Sequence, residues 1–181
     1  MYALRYGWNA AWLMPAIAGA LMGCESSRSI FQSKDSDASK GPSPGLVAPL
    51  RGLGSAVSGK VRVIDRGDGI TVMVSGTNLP IGEYRVAFHQ NGNCSSPNGF
   101  SAGPAWAPPG RSPATLIPPL TNGDGNAEAS VWVSGVHTTG ENGVAGRSVM
   151  LYWGAVTPVQ PGVRNNVIAC GVFEPAQTFS F

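Results

Sequence analysis

The sequence predicts an all-β protein, a Greek-key barrel or sandwich of antiparallel strands, and three observations support this fold class. Glycine and proline contribute 25 and 15 of the 181 residues, which disfavours long helices and favours short strands joined by turns. Apolar and polar residues alternate in several short segments, each bounded by Gly, Pro or Asn. No segment shows the apolar period of a helix of useful length.

The predicted folded domain covers residues 56–181 and begins with a hairpin. Alternating apolar residues flank the segment 65–69, at Val61 and Val63 before it and at Ile70, Val72 and Val74 after it. Arg66-Gly67-Asp68 within that segment matches the integrin-binding tripeptide, but Asp and Gly are also what a tight reversal needs, which favours a simple turn. Four further strands are predicted at residues 83–89, 127–133, 148–153 and 167–173.

The N-terminal residues predict export. Arg5 precedes an uncharged, mostly apolar stretch over residues 7–22, as in a secretory signal. That stretch ends in Leu21-Met22-Gly23-Cys24, which resembles the bacterial lipobox and implies a signal peptide over 1–23 and a lipid on Cys24. The alternative is an ordinary secretory signal cleaved elsewhere. Glu25 rather than Asp follows the cysteine, which favours the outer membrane, facing the periplasm, over the inner membrane.

Residues 24–55 are rich in Ser, Asp, Lys, Gly and Pro and lack an apolar period, so they predict a flexible tether. The lipid predicted on Cys24 makes a membrane the first expected partner. The second is either another copy of the chain or another envelope protein. Nucleic acid is not an expected partner, because a formal net charge of +2 over the whole chain provides no basic surface.

The remaining cysteines, Cys94 and Cys170, are candidates for a disulfide bond if the protein is exported to an oxidising compartment. Free thiols that serve catalysis or metal binding are the alternative, although neither cysteine lies in a CxxC spacing.

Four segments resemble the copper/zinc superoxide dismutase family. Residues 79–95, LPIGEYRVAFHQNGNCS, are similar to that family's Leu-x-Pro-Gly-Glu-His-Gly-Phe-His-x-His-Glu-x-Gly-Asp-Cys-Ser, with the proline shifted by one residue. In the same order, residues 101–108, SAGPAWAP, resemble Ser-Ala-Gly-x-His-Phe-Asn-Pro, and residues 146–152, GRSVMLY, resemble Gly-Arg-x-Val-Val-Val-His. Residues 169–172 match the terminal Ala-Cys-Gly-Val. The resemblance implies the family's Greek-key β-barrel and its intrachain disulfide at Cys94 and Cys170.

The same resemblance implies that the metal ligands have been replaced. Only His89 remains of the copper histidines, and the other three positions hold Ala87, Ala105 and Tyr152. The positions that best match the remaining zinc ligands hold Pro113 and Leu116, which have no donor atom. We therefore expect no catalytic residue and no resident zinc or copper, and we expect a repacked site at Ala87, His89, Ala105 and Tyr152.

The other imidazole and the large aromatic residues have ordinary interpretations. His89 lies among apolar neighbours, which favours a core histidine bonded to backbone over a metal ligand. His137 lies in a Gly- and Thr-rich segment that predicts an exposed, solvated loop. Three tryptophans and a tyrosine could form a binding surface for a partner or a sugar ring, although burial in the core is the favoured interpretation: Trp106, Trp132, Trp153 and Tyr152.

The sequence is compatible with three functions. The first is a non-catalytic, lipid-anchored envelope module with a structural or interaction role. The second is weak copper binding or buffering through His89, with Met73, Met150 or a second subunit as further ligands. The third is glycan or peptidoglycan binding through exposed aromatic residues.

Overall fold

The computed structural model describes residues 45–158 and 165–176, and this part of the chain is all-β. A single 3₁₀ turn, Phe100–Ala102, interrupts the strands in the described ranges. In chain order the strands are β1 Leu46–Gly52, β2 Ser58–Arg66, β3 Gly69–Thr77, β4 Gly82–His89, β5 Ala105–Trp106, β6 Leu120–Asn122, β7 Ala127–Ser134, β8 Ser148–Trp153, β9 Val167–Val172 and β10 Glu174–Pro175.

The strands form one antiparallel sheet that curls into a half-barrel. Its order is β5-β4-β8-β9-β1-β2-β3-β7, and two short strands lie off this path, β6 beside β4 and β10 beside β1. β1 lies near the middle, between β9 and β2, although it comes first in the sequence. The predicted all-β class is confirmed.

The predicted hairpin is β2–β3, which pairs continuously from Ser58 opposite Thr77 to Arg66 opposite Gly69. Gly67 has a φ of 62° in the turn, a left-handed conformation that favours glycine. The backbone of Asp68 also accepts a hydrogen bond from the N–H of Gly135, at 2.8 Å. The Arg66-Gly67-Asp68 segment thus forms the predicted strand reversal. The other four predicted strands match β4, β7, β8 and β9 to within one residue at each end.

Side chains that alternate along the strands fill the inner face of the sheet. Phe88 is fully buried there and its ring packs edge-on against Phe173, with centroids 5.7 Å apart. The apolar side chains that β1, β2, β3, β4 and β8 turn inward are Leu46, Ala48, Leu50, Val61, Val63, Ile70, Val72, Val74, Tyr84, Val86, Phe88, Val149 and Leu151. This alternation buries one face of each strand, which is the main stabilising effect in an antiparallel sheet.

The boundary predicted between tether and domain was wrong, because residues 46–52 form strand β1 of the sheet and Ser55 is hydrogen bonded to β9. Leu46 and Leu50 are 6% and 5% exposed in β1, and β1 pairs with β2 over six successive residues. Ser55 donates a hydrogen bond from its hydroxyl to the carbonyl of Ile168, at 2.8 Å. The folded domain therefore begins by Leu46, and residues 46–55 are not part of a tether.

Pro49 explains why β1 resembles a linker in the sequence. Proline donates no backbone hydrogen bond, so it is rare in the middle of a sheet. On the side away from β2, however, β1 pairs with β10 only at Leu46 and Val47, and with β9 only at Arg51 and Gly52. Pro49 lies between these two short ladders, where the sheet does not need an N–H.

Gly171 in β9 accommodates the same part of β1. A Cβ atom at Gly171 would lie 2.5 Å from the carbonyl oxygen of Pro49, closer than such atoms can approach. The glycine is therefore required by close backbone packing rather than by an unusual φ.

Several predictions lie outside the described residues, namely the signal peptide over 1–23, the lipid on Cys24 and residues 24–44 of the tether. Within the two described ranges, no helix is both long and apolar enough to cross a membrane.

Candidate functional site

The four residues of the predicted repacked site meet on the outer face of the sheet. Ala87 and His89 alternate to that face on β4, and Ala105 on β5 is the cross-strand partner of His89. Tyr152 on β8 reaches the same point, with its hydroxyl 2.8 Å from Nε2 of His89. A second, smaller apolar cluster surrounds them, formed by Ala87, Ala102, Met150, Tyr152, Val167 and Cys170.

The outer face is covered at this point, so the site is buried. His89 is 1% exposed and Tyr152 is 0% exposed. The two rings are nearly parallel, with an interplanar angle of 21° and centroids 6.0 Å apart. Ala87 and Met150 are also buried, whereas Ala105 is half-buried at the edge of the cluster. The space around His89 on the Tyr152 side is therefore filled by protein.

Both ring nitrogens of His89 have hydrogen-bond partners. Nδ1 lies 2.8 Å from the carbonyl oxygen of Gly103, which can only accept. The neutral ring therefore carries its hydrogen on Nδ1 and donates it to Gly103, while the Tyr152 hydroxyl donates to Nε2. The predicted interpretation of His89, a core histidine bonded to backbone, agrees with this geometry.

Burial keeps the His89–Tyr152 pair uncharged at neutral pH. Desolvation lowers the pKa of His89 below its ordinary value of 6.5, and the hydrogen bond to Gly103 opposes this shift only in part. Desolvation also raises the pKa of Tyr152 well above its ordinary value. The thioether sulfur of Met150 lies 3.6 Å from the Tyr152 hydroxyl and is a second, weaker acceptor for it.

A disulfide bond fixes the loop that carries Gly103. Cys94 and Cys170 are joined, with Cα atoms 5.8 Å apart, and this links residues 90–104 to β9. Within the loop, the N–H of Asn91 donates to the carbonyl of Ala102 at 2.9 Å, and the N–H of Gln90 donates to Pro104 at 3.1 Å. The loop is thus tied at both ends beside His89, which holds the Gly103 carbonyl in place.

The donor groups at this site do not suit copper or zinc. Ala87 and Ala105 supply only carbon, and both nitrogens of His89 are already hydrogen bonded. Pro113 and Leu116, at the positions implied for zinc, have no donor atom. In residues 45–158 and 165–176, no three His, Cys, Asp or Glu side chains lie close enough together to hold a metal ion.

The structure distinguishes the two methionines that were predicted as alternative further copper ligands beside His89. Met150 lies next to Tyr152 in the buried cluster, but Met73 lies on β3. β8, β9, β1 and β2 lie between β3 and β4 in the sheet. His89 and Met73 therefore do not face a common point.

An apolar cleft opens beside the buried pair. Its volume is about 600 Å³, and His89 and Ala105 are among the residues that line it. Three loop segments complete its walls, at residues 100–104, 112–114 and 156–158. The sequence did not predict this cleft, because its walls are loop residues without a periodic pattern.

His137 has a more specific environment than a solvated loop. Its side chain is 43% exposed, and Nδ1 lies 3.7 Å from the carboxylate of Asp65. The same carboxylate accepts a hydrogen bond from the backbone N–H of Thr138, at 2.9 Å, and another from the Thr138 hydroxyl. Asp65 at the end of β2 thus holds this loop against the sheet.

The aromatic residues do not gather on one surface. Tyr152 is fully buried, and Trp106 is half-buried beneath the guanidinium of Arg147, 4.0 Å from its ring. Trp132 and Trp153 are 54% and 52% exposed, so the favoured prediction of core burial is wrong for these two. They lie on β7 and β8, which are not neighbours in the sheet.

Burial of His89 predicts that the domain loses stability as the pH falls below about 6.5. The unfolded chain binds a proton at this histidine near pH 6.5, whereas the folded chain resists it, so protonation favours unfolding. One such group changes the free energy of unfolding by at most about 1.4 kcal/mol per pH unit. Urea unfolding between pH 7.5 and pH 5 measures this slope.

The control for this prediction is His89→Gln, which has no imidazole at the site but retains His137. The slope between pH 7 and pH 5 should be smaller in the variant than in the parent chain. Equal slopes in both proteins would show that His89 is not protected from protonation.

No family model matches the sequence, and no curated protein matches it either.

Proposed function

We propose that this protein is a non-catalytic interaction module, built on a superoxide-dismutase-like Greek-key barrel whose metal site has been replaced by a buried His–Tyr pair. The observation that carries the proposal is the saturated hydrogen bonding of His89, to Gly103 on one side and to Tyr152 on the other. Three positions that the resemblance assigns to copper ligands lie around that histidine without a free donor, at Ala87, Ala105 and Tyr152.

Packing supports replacement rather than loss of the site. A missing histidine in a buried site would leave an unpaired polar group or a cavity, and either would cost about 1–3 kcal/mol or more. Here the Tyr152 ring fills the space and its hydroxyl completes the hydrogen bonds of His89. The pair therefore stabilises the barrel and keeps the loop over residues 90–104 in place.

The cellular setting belongs to the same proposal. The lipobox resemblance at Cys24 supports a location in a bacterial envelope, on the periplasmic side of the outer membrane. A disulfide between Cys94 and Cys170 is consistent with an oxidising compartment. Its partner there is a second copy, another envelope protein or a ligand of the cleft.

Metal titration of the full chain tests the proposal. We expect well under one copper or zinc per chain after loading and dialysis, and no superoxide turnover above the background of free metal. Stoichiometric, tightly bound copper with turnover would contradict the proposal.

His89→Ala separates the proposal from weak copper buffering, the second candidate, which Met150 favours because its sulfur lies in the same buried cluster. We expect the variant to bind Cu(I) with the affinity of the parent chain. A clear loss of Cu(I) affinity in His89→Ala would favour buffering.

A further inference from the structure

We propose that the cleft beside His89 binds an uncharged, predominantly apolar small molecule. This inference rests on the proposed function, because it assigns the module a class of ligand. It is argued from the shape of the cleft, from its lack of charge and from the hydrogen bonds that its polar groups already make.

The shape of the cleft suits a small molecule. Its volume of about 600 Å³ lies within the usual range of ligand sites, roughly 300 to 1,000 Å³. Its walls come from segments far apart in the sequence, at residues 100–105, 112–114 and 156–158, so a ligand would be held on several sides. The disulfide-linked loop over residues 90–104 supplies one of these walls and is anchored independently of any ligand.

The described lining of the cleft carries no formal charge, which favours an uncharged ligand over an ionic one. Among the described residues that line it, none is an Asp, Glu, Lys or Arg. His89 is the one ionisable group among them, and burial favours its neutral form. A charged ligand would lose its hydration without gaining a counterion, which is costly, whereas an uncharged ligand would not.

Most polar side chains of the described lining already make hydrogen bonds within the protein. Both nitrogens of His89 are bonded, and the Asn91 amide donates to the carbonyl of Ser101 at 3.2 Å. The Ser101 hydroxyl donates to the carbonyl of Asn93 at 3.1 Å, and the Thr157 hydroxyl bonds the Asn166 side chain. These groups have little capacity left for a ligand, so recognition depends on apolar contact.

A bound ligand would therefore contact mainly apolar side chains. Phe100 is a large apolar residue that remains 47% exposed at this site. Exposed apolar surface that lines a concave site is typical of ligand-binding regions. The apolar contacts would come from Phe100, Pro104, Ala105, Pro113, Ala114 and Val156.

The test uses N-phenyl-1-naphthylamine, an uncharged apolar fluorophore, as the probe for the full chain. Methyl NMR reports where it binds, because Ala105 and Val156 line the cleft whereas Ala129 lies on β7, outside it. We expect saturable shifts of the Ala105 and Val156 methyl signals and no shift at Ala129. The readout is local, so binding of the probe elsewhere on the chain does not imitate it.

Two matched variants complete the test. Ala114→Trp places a large ring in the cleft from an exposed loop position, and Ala56→Trp places the same ring on an exposed residue outside it. We expect the dissociation constant to rise about tenfold or more in Ala114→Trp, a loss of about 1.4 kcal/mol, and to be unchanged in Ala56→Trp. Absent shifts in the parent chain, or equal affinity in both variants, would overturn the inference.

Copper and zinc titrations of the same samples separate this inference from the proposed function. If the probe fails to bind and metal is also absent, the ligand assignment alone is wrong. If copper binds stoichiometrically with superoxide turnover, the proposed function itself is wrong.

Discussion

Removal of residues 1–55 is expected to abolish folding, whereas removal of residues 1–39 is expected to leave the fold intact. The longer deletion removes β1, which joins β9 to β2 in the middle of the sheet. Two separate pieces would remain, β5-β4-β8-β9 and β2-β3-β7, each with a newly exposed edge. The first described strand begins at Leu46, so the shorter deletion spares every strand of the sheet described here.

The size of the effect follows from what β1 buries. Leu46 and Leu50 together contribute about 3–6 kcal/mol of apolar burial, and their loss exposes the side chains that pack against them. A domain of this size is stable by only about 5–15 kcal/mol, so the added loss of the three ladders that β1 forms with β2, β9 and β10 exceeds the margin.

Far-UV circular dichroism and urea unfolding of the two truncated chains measure the outcome. The chain from residue 40 should unfold cooperatively at a urea midpoint close to that of the full chain, which serves as the control. A cooperative transition of similar midpoint in the chain from residue 56 would show that β1 is dispensable.

Removal of the disulfide is expected to destabilise the domain by roughly 4 kcal/mol, because the bond joins residues 76 positions apart. In the chain-entropy model, the loss arises from the greater freedom of the unfolded chain. The native state also loses the tie between the loop over residues 90–104 and β9, so the Gly103 carbonyl is held less firmly against His89.

The double variant Cys94→Ala, Cys170→Ala is compared with the parent chain by urea unfolding, with and without a reducing agent. A reducing agent should lower the urea midpoint of the parent chain and leave the midpoint of the double variant unchanged. Because the double variant retains Cys24, it controls for effects of the reducing agent at that residue. The prediction fails if the parent chain keeps its midpoint when both thiols are shown to be free.

Strand alternation predicted most of the sheet, because strands such as β2 and β3 bury mainly one face. Val61, Val63, Val72 and Val74 show this alternation clearly, and the structure places all four in the core. β1 escaped prediction because Pro49 interrupts its pattern. The gap between two short ladders that tolerates this proline is a property of the tertiary structure and has no signal in the sequence.

The meeting of Ala87, His89, Ala105 and Tyr152 could be anticipated only from the family resemblance. Alternation alone places Ala87 and His89 on one face of β4, but it does not bring Tyr152 to Nε2 of His89. Nδ1 of His89 bonds the backbone carbonyl of Gly103. Because every residue has a backbone carbonyl, the sequence contains no signal for this partner. The cleft depends on three loops, whose conformations are set by the disulfide and by local hydrogen bonds rather than by a pattern of residue types.

The position of β1 also determines how the domain responds to force. A pull directed along β1 from its N-terminal end loads a strand in the interior of the sheet rather than a peripheral one. The six paired residues between β1 and β2 would then bear the load together, in shear, instead of separating one pair at a time. Resistance to forced unfolding depends on the rate of unfolding, so this attachment favours a sheet that holds its shape while such a force acts on β1.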